Sequence, residues 1–94
     1  MIQFANLIFT MLSDYIRTAM RQAHYEWLPN DAVYYGEIPD CQGVYATAKT
    51  LETCREELQQ VLEGWIILSI EKKMPIPSIN SITIYTPEHH KASA

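Results

Sequence analysis

Four carboxylates in the first half of the chain are the side chains whose types and spacing first suggest chemistry. Glu26, Asp31, Glu37 and Asp40 lie close together in sequence, and paired carboxylates can hold Mg²⁺ or act in acid–base catalysis. Their neighbours favour a simpler interpretation, because Asp31 and Asp40 fall in turn sequences while Glu26 and Glu37 fall on the solvent side of predicted strands. We therefore predict neither a metal site nor catalytic carboxylates here.

The other reactive side chains lack the companions that a site needs. His89 and His90 are adjacent in a polar tail, and two neighbouring histidines do not make a preformed metal site. Cys41 and Cys54 form no Cys-x-x-Cys pair, and the chain contains no G-x-S-x-G motif. Three glycines are too few for a phosphate-binding loop. The sequence predicts a protein that is not an enzyme and uses no cofactor.

Length and net charge restrict the partners. A chain of 94 residues suits one domain with a thin core. Its net charge of −4 argues against nucleic acid as the main ligand and suits a basic protein partner. Arg17 and Arg21 could contact RNA phosphates, although a solvated helix face explains them more simply. Cys41 and Cys54 are expected to be free thiols in a reducing cytoplasm, although a disulfide between them is geometrically possible.

The first twelve residues are uncharged and rich in apolar side chains. They are too short to span a bilayer, and they lack the features of a signal peptide. Met11 opens the better-organised part of the chain. We therefore expect residues 1–10 to be an extension that is either not native or an extra strand or helical turn. Residues 11–86 are predicted to be one domain, and residues 87–94 a polar tail.

The apolar periodicity predicts the order α-β-β-β-α-β. A helix is expected over residues 12–23, and Thr50 is expected to cap a long helix over residues 51–73. The predicted fold class is α+β, with a small antiparallel sheet of three to four strands backed by one long helix and an additional N-terminal helix. The predicted strands cover residues 23–28, 32–38, 43–48 and 79–85.

The long predicted helix carries one apolar stripe and then a segment, residues 65–70, that is apolar nearly all round. This end of the helix is therefore expected to be buried on more than one side, by the N-terminal helix or by a second subunit. Trp65 is expected inside the core, where Trp65→Ala would cost about 3–5 kcal/mol of unfolding free energy. The stripe consists of Leu51, Cys54, Leu58, Val61, Leu62 and Trp65.

The chain has more aromatic side chains than a thin core can hide. One interpretation is an ordinary helix-on-sheet core with surface tyrosines. The other is a sheet face or edge that associates with a partner or a second subunit, because Tyr and Trp tolerate half-buried positions. The predicted interface residues are Tyr25, Trp27, Tyr34, Tyr45, Trp65, Ile66 and Ile70.

An ordered set of short motifs runs through the middle of the chain. It consists of Tyr35-Gly36-Glu37-Ile38-Pro39-Asp40, Gly43, Thr50-Leu51 and Pro75-Ile76-Pro77. An aromatic-rich strand, a Pro-Asp turn, a glycine, a short strand, a Thr-started helix and a Pro-x-Pro exit in this order resemble the HicB-type antitoxin family. The resemblance covers residues 24–78, with the N-terminal helix as an addition.

Two departures limit what the resemblance carries over. The chain has Cys41-Gln42 where the family usually has Leu-Pro. Full-length members also have a C-terminal DNA-binding segment, and about 17 residues after Pro77 are too few for one. We therefore expect no DNA binding.

The resemblance implies a cytoplasmic, non-membrane module that binds HicA, a small basic mRNA-cleaving toxin, and neutralises it by direct contact. The acidic balance of this chain suits such a partner. The resemblance also implies a homodimer or higher homo-oligomer. The alternatives are an orphan self-associating structural or regulatory module without a toxin, suggested by the surplus apolar surface of residues 65–70, and an RNA-binding protein.

Overall fold

The element order of the chain is helix, three strands, helix. The structure, a computed structural model, describes residues 2–80 and 82–84, with side chains from residue 10 onward. The predicted α+β class and the long helix behind a small antiparallel sheet are confirmed. The elements are α1 (Ile2–Arg21), β1 (His24–Leu28), β2 (Val33–Glu37), β3 (Tyr45–Ala48) and α2 (Leu51–Glu71).

Helix α1 begins ten residues before the predicted start at residue 12. It passes through Met11 without a break. The reason is local, since neither glycine nor proline occurs between Ile2 and Arg21 to interrupt the backbone hydrogen bonds. The helix ends where the Gln22 N–H bonds to the Ala19 carbonyl oxygen at 3.0 Å. No helix within residues 2–80 is long and apolar enough to cross a membrane.

The three strands form an antiparallel sheet in the order β1-β2-β3. Gly36 lies at its centre, opposite Tyr25 on β1 and Ala46 on β3. A Cβ atom placed on Gly36 would lie 2.8 Å from the Tyr25 ring and 3.2 Å from the Cys54 sulfur of α2. The row formed by Tyr25, Gly36 and Ala46 therefore lies on the face of the sheet that packs against α2.

The turn between β2 and β3 is part of the core and is not a polar surface loop. The Ile38 N–H bonds to the Val44 carbonyl oxygen at 3.2 Å, and the Val44 N–H bonds to the Cys41 carbonyl oxygen at 3.0 Å. Ile38, Cys41 and Val44 are all buried. Gly43 has a φ of +93°, a conformation that residues with a side chain rarely adopt.

Helix α2 begins as predicted, and Cys54, Leu58 and Leu62 of the predicted stripe are buried. Thr50 accepts a hydrogen bond from the Thr53 backbone N–H at 3.1 Å, which confirms it as the N-cap. Two predicted core positions, Leu51 and Val61, are exposed, and Trp65 is only partly buried against the core. The buried face follows three steps of four residues and then one of three. It comprises Cys54, Leu58, Leu62, Ile66 and Ser69.

The predicted last strand over residues 79–85 does not form within the described residues. Ile79 and Ile82 exchange backbone hydrogen bonds of 3.1 and 2.8 Å and make an isolated bridge. Because these groups bond to each other, they are not available to the sheet edge. Ile79 and Ile84 are nevertheless buried. The predicted tail, with His89 and His90, lies outside the described residues.

Tyr15 joins α1 to the rest of the core. Its side chain is fully buried, and its hydroxyl donates to the Pro77 carbonyl oxygen and lies 3.7 Å from the Cys41 sulfur. Burial is the main cause that raises the pKa of Tyr15 far above the usual 10.0, so the hydroxyl remains a donor at neutral pH. The Tyr15 side chain of α1 thus contacts both the β2–β3 turn and the segment after α2.

Candidate protein-binding surface

The face of the sheet that points away from α2 is the candidate functional surface. Since the row through Gly36 faces α2, the alternate residues on each strand face the opposite way. Tyr45 on this side is 58% exposed. We call the set the outer sheet face, and it consists of His24, Glu26, Leu28, Val33, Tyr35, Glu37, Tyr45 and Thr47.

Two stacked tyrosines form the centre of the outer sheet face. The ring centroids of Tyr35 and Tyr45 are 6.1 Å apart, with 25° between the ring planes. The Tyr35 hydroxyl donates to Glu37 Oε1 at 3.0 Å, and this hydrogen bond raises the pKa of Tyr35. The stacking and the hydrogen bond orient the rings before any partner arrives, which lowers the entropy lost on binding.

The charges on the outer sheet face have one sign. Glu26 and Glu37 supply carboxylates on neighbouring strands, and the face contains no lysine or arginine. The two glutamates and His24 also line a shallow depression of about 260 Å³. Carboxylates beside exposed tyrosine rings suit the cationic side chains of a basic protein, through ion pairs and cation–π contacts.

The seven residues predicted for the interface do not lie together. Tyr45 is on the outer sheet face, whereas Tyr25 packs over Gly36 on the side of α2. Trp27 and Tyr34 are on that same side and form an edge-to-face pair with centroids 4.9 Å apart. Trp27 is 46% exposed, so this aromatic pair is partly exposed and is not on the outer sheet face.

The three predicted interface residues on α2 also separate. Ile66 is 2% exposed and lies in the core, so its side chain offers no surface to a partner. Trp65 packs partly against the core, and Ile70 is partly exposed. The sequence interpretation treated a helical segment as one unit, although adjacent positions on a helix point in different directions.

The residues that sequence reasoning missed are Glu26, Tyr35 and Glu37. The alternation of strand residues identified Glu26 and Glu37 as solvent-facing, and this signal was available. Their position around the Tyr35–Tyr45 pair depends on strand register, with Tyr45 directly opposite Glu37. Register depends on the long β2–β3 connection, which periodicity alone does not fix.

A second exposed surface lies on the C-terminal half of α2. Residues 65–70 were expected to be buried on more than one side, by the N-terminal helix or by a second subunit, but Ile67 is 59% and Leu68 49% exposed, so α1 does not cover them. Val61 and Met74 are exposed as well. Gly64 lies among them with no atom within 4 Å of a Cβ built on it, so no contact within the described chain requires a glycine there.

The described residues give little support for a metal or nucleophile site. Nowhere in residues 2–80 and 82–84 do three His, Cys, Asp or Glu side chains form a group that could hold a metal ion. Cys41 and Cys54 are free and buried. Burial raises the pKa of both thiols, so both stay protonated at neutral pH and are poor nucleophiles.

Comparisons with known proteins agree with this architecture. The crystal structure of TTHA0281 from Thermus thermophilus is similar, with a TM-score of 0.77 and 38% sequence identity. The similarity covers 82% of this chain and 95% of that one. A search of curated proteins gave no match.

A family profile described as UPF0150-like matches residues 14–77. The match starts ten residues before the segment that resembles HicB, so it includes the second half of α1 together with the sheet and α2. The UPF0150-like family is related to HicB-like antitoxins. The matched residues are more than half of the chain, and the chain belongs to the UPF0150-like family.

Proposed function

We propose that this chain is a HicB-like antitoxin module that neutralises a small basic mRNA-cleaving toxin by direct binding and has no catalysis of its own. The observation that carries the proposal is the outer sheet face, where Glu26 and Glu37 flank the stacked Tyr35 and Tyr45. The relation between the UPF0150-like family and HicB-like antitoxins supports it.

The mechanism follows from the charge and shape of that face. A protein that cleaves RNA presents lysine and arginine side chains to phosphates. Glu26 and Glu37 compete for those cations, while Tyr35 and Tyr45 pack against their aliphatic stems. The chain's net charge of −4 accelerates the encounter with a basic partner at low salt. The proposal places the protein in the cytoplasm, where mRNA is available and Cys41 and Cys54 remain reduced.

The test uses a small basic RNA-cleaving protein whose gene lies beside the gene for this chain. It measures whether this chain inhibits the cleavage. We expect the purified chain to suppress cleavage, and Glu37→Lys to weaken the inhibition by about tenfold or more, because it reverses a charge at the centre of the face. Glu56→Lys makes the same charge change on an exposed position of α2 and should inhibit like the unmodified chain. Absence of inhibition at saturating concentration, or an equal loss in both variants, contradicts the proposal.

A second candidate function is self-association without a toxin. The exposed Val61, Ile67 and Leu68 surround Gly64 on α2, and an apolar helix face of this kind is commonly covered by a second subunit. Sedimentation should then give a dimer that Leu68→Glu converts to a monomer. A monomer at micromolar concentration removes the basis of this function and leaves the toxin-binding proposal unaffected.

A further inference from the structure

A groove of opposite charge lies on the other side of the molecule. It runs between α1 and the first half of α2, on the side of the sheet that faces the helix, and its volume is about 910 Å³. Its lining includes the apolar side chains of Leu12, Ile16, Met20 and Leu51. Leu51 is 47% exposed, so the lining has apolar surface to offer to an occupant.

Arginines dominate the charged side chains of the groove. Arg17, Arg21 and Arg55 line it, against a single carboxylate from Glu63. Three of the seven Lys and Arg residues of an acidic chain are therefore concentrated here. Arg17 pairs with Asp14 at 3.2 Å, whereas Arg21 and Arg55 form no ion pair or hydrogen bond within the described residues. Both are exposed and free to receive an anionic group.

Tyr25 provides an independent indication of a polar ligand. Its hydroxyl is buried and has no hydrogen-bond partner among the described residues, and the residue lines this groove as well as the depression beside Glu26 and Glu37. Burial raises the pKa of Tyr25, and the positive charge of Arg55 acts in the opposite direction. The hydroxyl is thus a protonated donor near a guanidinium group, and an unsatisfied buried donor is unfavourable until an acceptor reaches it.

We propose that this groove binds an acidic amphipathic helix of a second partner protein. The apolar side chains of the partner helix cover Leu12, Ile16 and Met20, and the carboxylates of that helix bind Arg21 and Arg55. Charge complementarity selects this occupant from the alternatives. Nucleic acid is disfavoured, because the uncharged lining is largely apolar and Tyr25 is its one aromatic residue, which leaves no row of rings for stacking bases.

This binding goes beyond the proposed function, since it uses a different face and a partner of opposite charge. The outer sheet face selects a basic protein, and the groove selects an acidic one. The two tests are therefore independent: a chain that fails to inhibit a toxin can still bind an acidic helix, and the reverse also holds.

The experiment uses the full chain and a fluorescent synthetic helix that has leucine at helical spacing and glutamate on its flanks. We expect saturable binding by fluorescence anisotropy, and a loss of affinity of about tenfold or more with Arg21→Glu or Arg55→Glu. Lys72→Glu and Lys73→Glu make the same charge change beyond the end of α2 and should leave the affinity within about twofold. Circular dichroism confirms that each variant is folded.

Three results would overturn the proposal. The first is equal or tighter binding of a control helix with lysine in place of glutamate. The second is an RNA oligonucleotide that binds more tightly than the acidic helix and displaces it. The third is sedimentation of the unmodified chain as a dimer that Arg21→Glu dissociates, which would assign the groove to a second copy of this chain.

Discussion

Of the three glycines, Gly36 is the one at which a side chain would meet the closest contacts. A Cβ atom on it would meet the Tyr25 ring at 2.8 Å, closer than real Cβ contacts come, and would crowd the Cys54 sulfur. Tyr25 in turn forms part of the groove wall. The absence of a side chain at Gly36 therefore lets the Tyr25 ring pack closely against the sheet, beside a candidate binding surface.

We expect Gly36→Ala to lower the free energy of unfolding by about 1–3 kcal/mol, because the Tyr25 ring must move to admit the methyl group. Gly64→Ala is the matched control, since it adds a methyl group where nothing lies within 4 Å. That change should stabilise the chain by about 0.5–1 kcal/mol through helix propensity. Urea denaturation of both variants measures the difference, and equal effects would refute the assigned packing.

At the scale of the elements, α2 determines which side chains reach the core and which remain for partners. Cys54, Leu58 and Leu62 face the sheet, while Val61 and Leu68 face outward. The sequence placed Val61 and Leu62 in one stripe because both are apolar and adjacent. Their true directions depend on the rotation of the helix against the sheet, which tertiary packing fixes.

The rotation of α2 is tested by substituting these neighbours. Leu62 is 0% and Val61 38% exposed. We expect Leu62→Ala to cost about 2–5 kcal/mol of unfolding free energy, and Val61→Ala to cost less than about 1 kcal/mol. Thermal or urea unfolding compares them under the same conditions. A larger loss from Val61→Ala would mean that the helix turns its other side to the sheet.

Local chemistry predicted the strands and the start of α2. The alternation of Val44, Ala46 and Ala48 with Tyr45 and Thr47 predicted β3, and the hydroxyl of Thr50 predicted the cap. The remaining elements depended on more distant contacts. The alternating isoleucines near the C-terminus satisfy the strand pattern, yet the backbone groups of Ile79 and Ile82 bond to each other. Which pairing forms depends on where the chain leaves α2.

The candidate site was predictable only in part, because it also depends on contacts between elements that are distant in sequence. Tyr45 was identified as an interface residue from the excess of aromatic side chains, and it lies on the outer sheet face. Ile66 was grouped with Trp65 and Ile70, although a rotation of about 100° per residue turns it into the core. The Tyr35–Tyr45 stack required strand register, and the groove required the packing of α1 on α2.

At the scale of the whole molecule, two surfaces differ in charge. The outer sheet face has carboxylates and no lysine or arginine, and the groove beside α1 has three arginines. The acidic total of −4 therefore conceals two surfaces of different charge, which we propose bind partners of opposite charge. In this proposal, a single sheet layer gives a chain of 94 residues two binding faces with a thin core between them.

The central claim is that the outer sheet face is the surface that binds the basic toxin. NMR of the isotope-labelled chain, titrated with the basic protein whose RNA cleavage it inhibits, tests it most directly. The account predicts that the largest shift changes fall on Tyr35, Glu37 and Tyr45, with small changes at Val61 and Leu68. Changes confined to α2, with the three sheet residues unaffected, would contradict it.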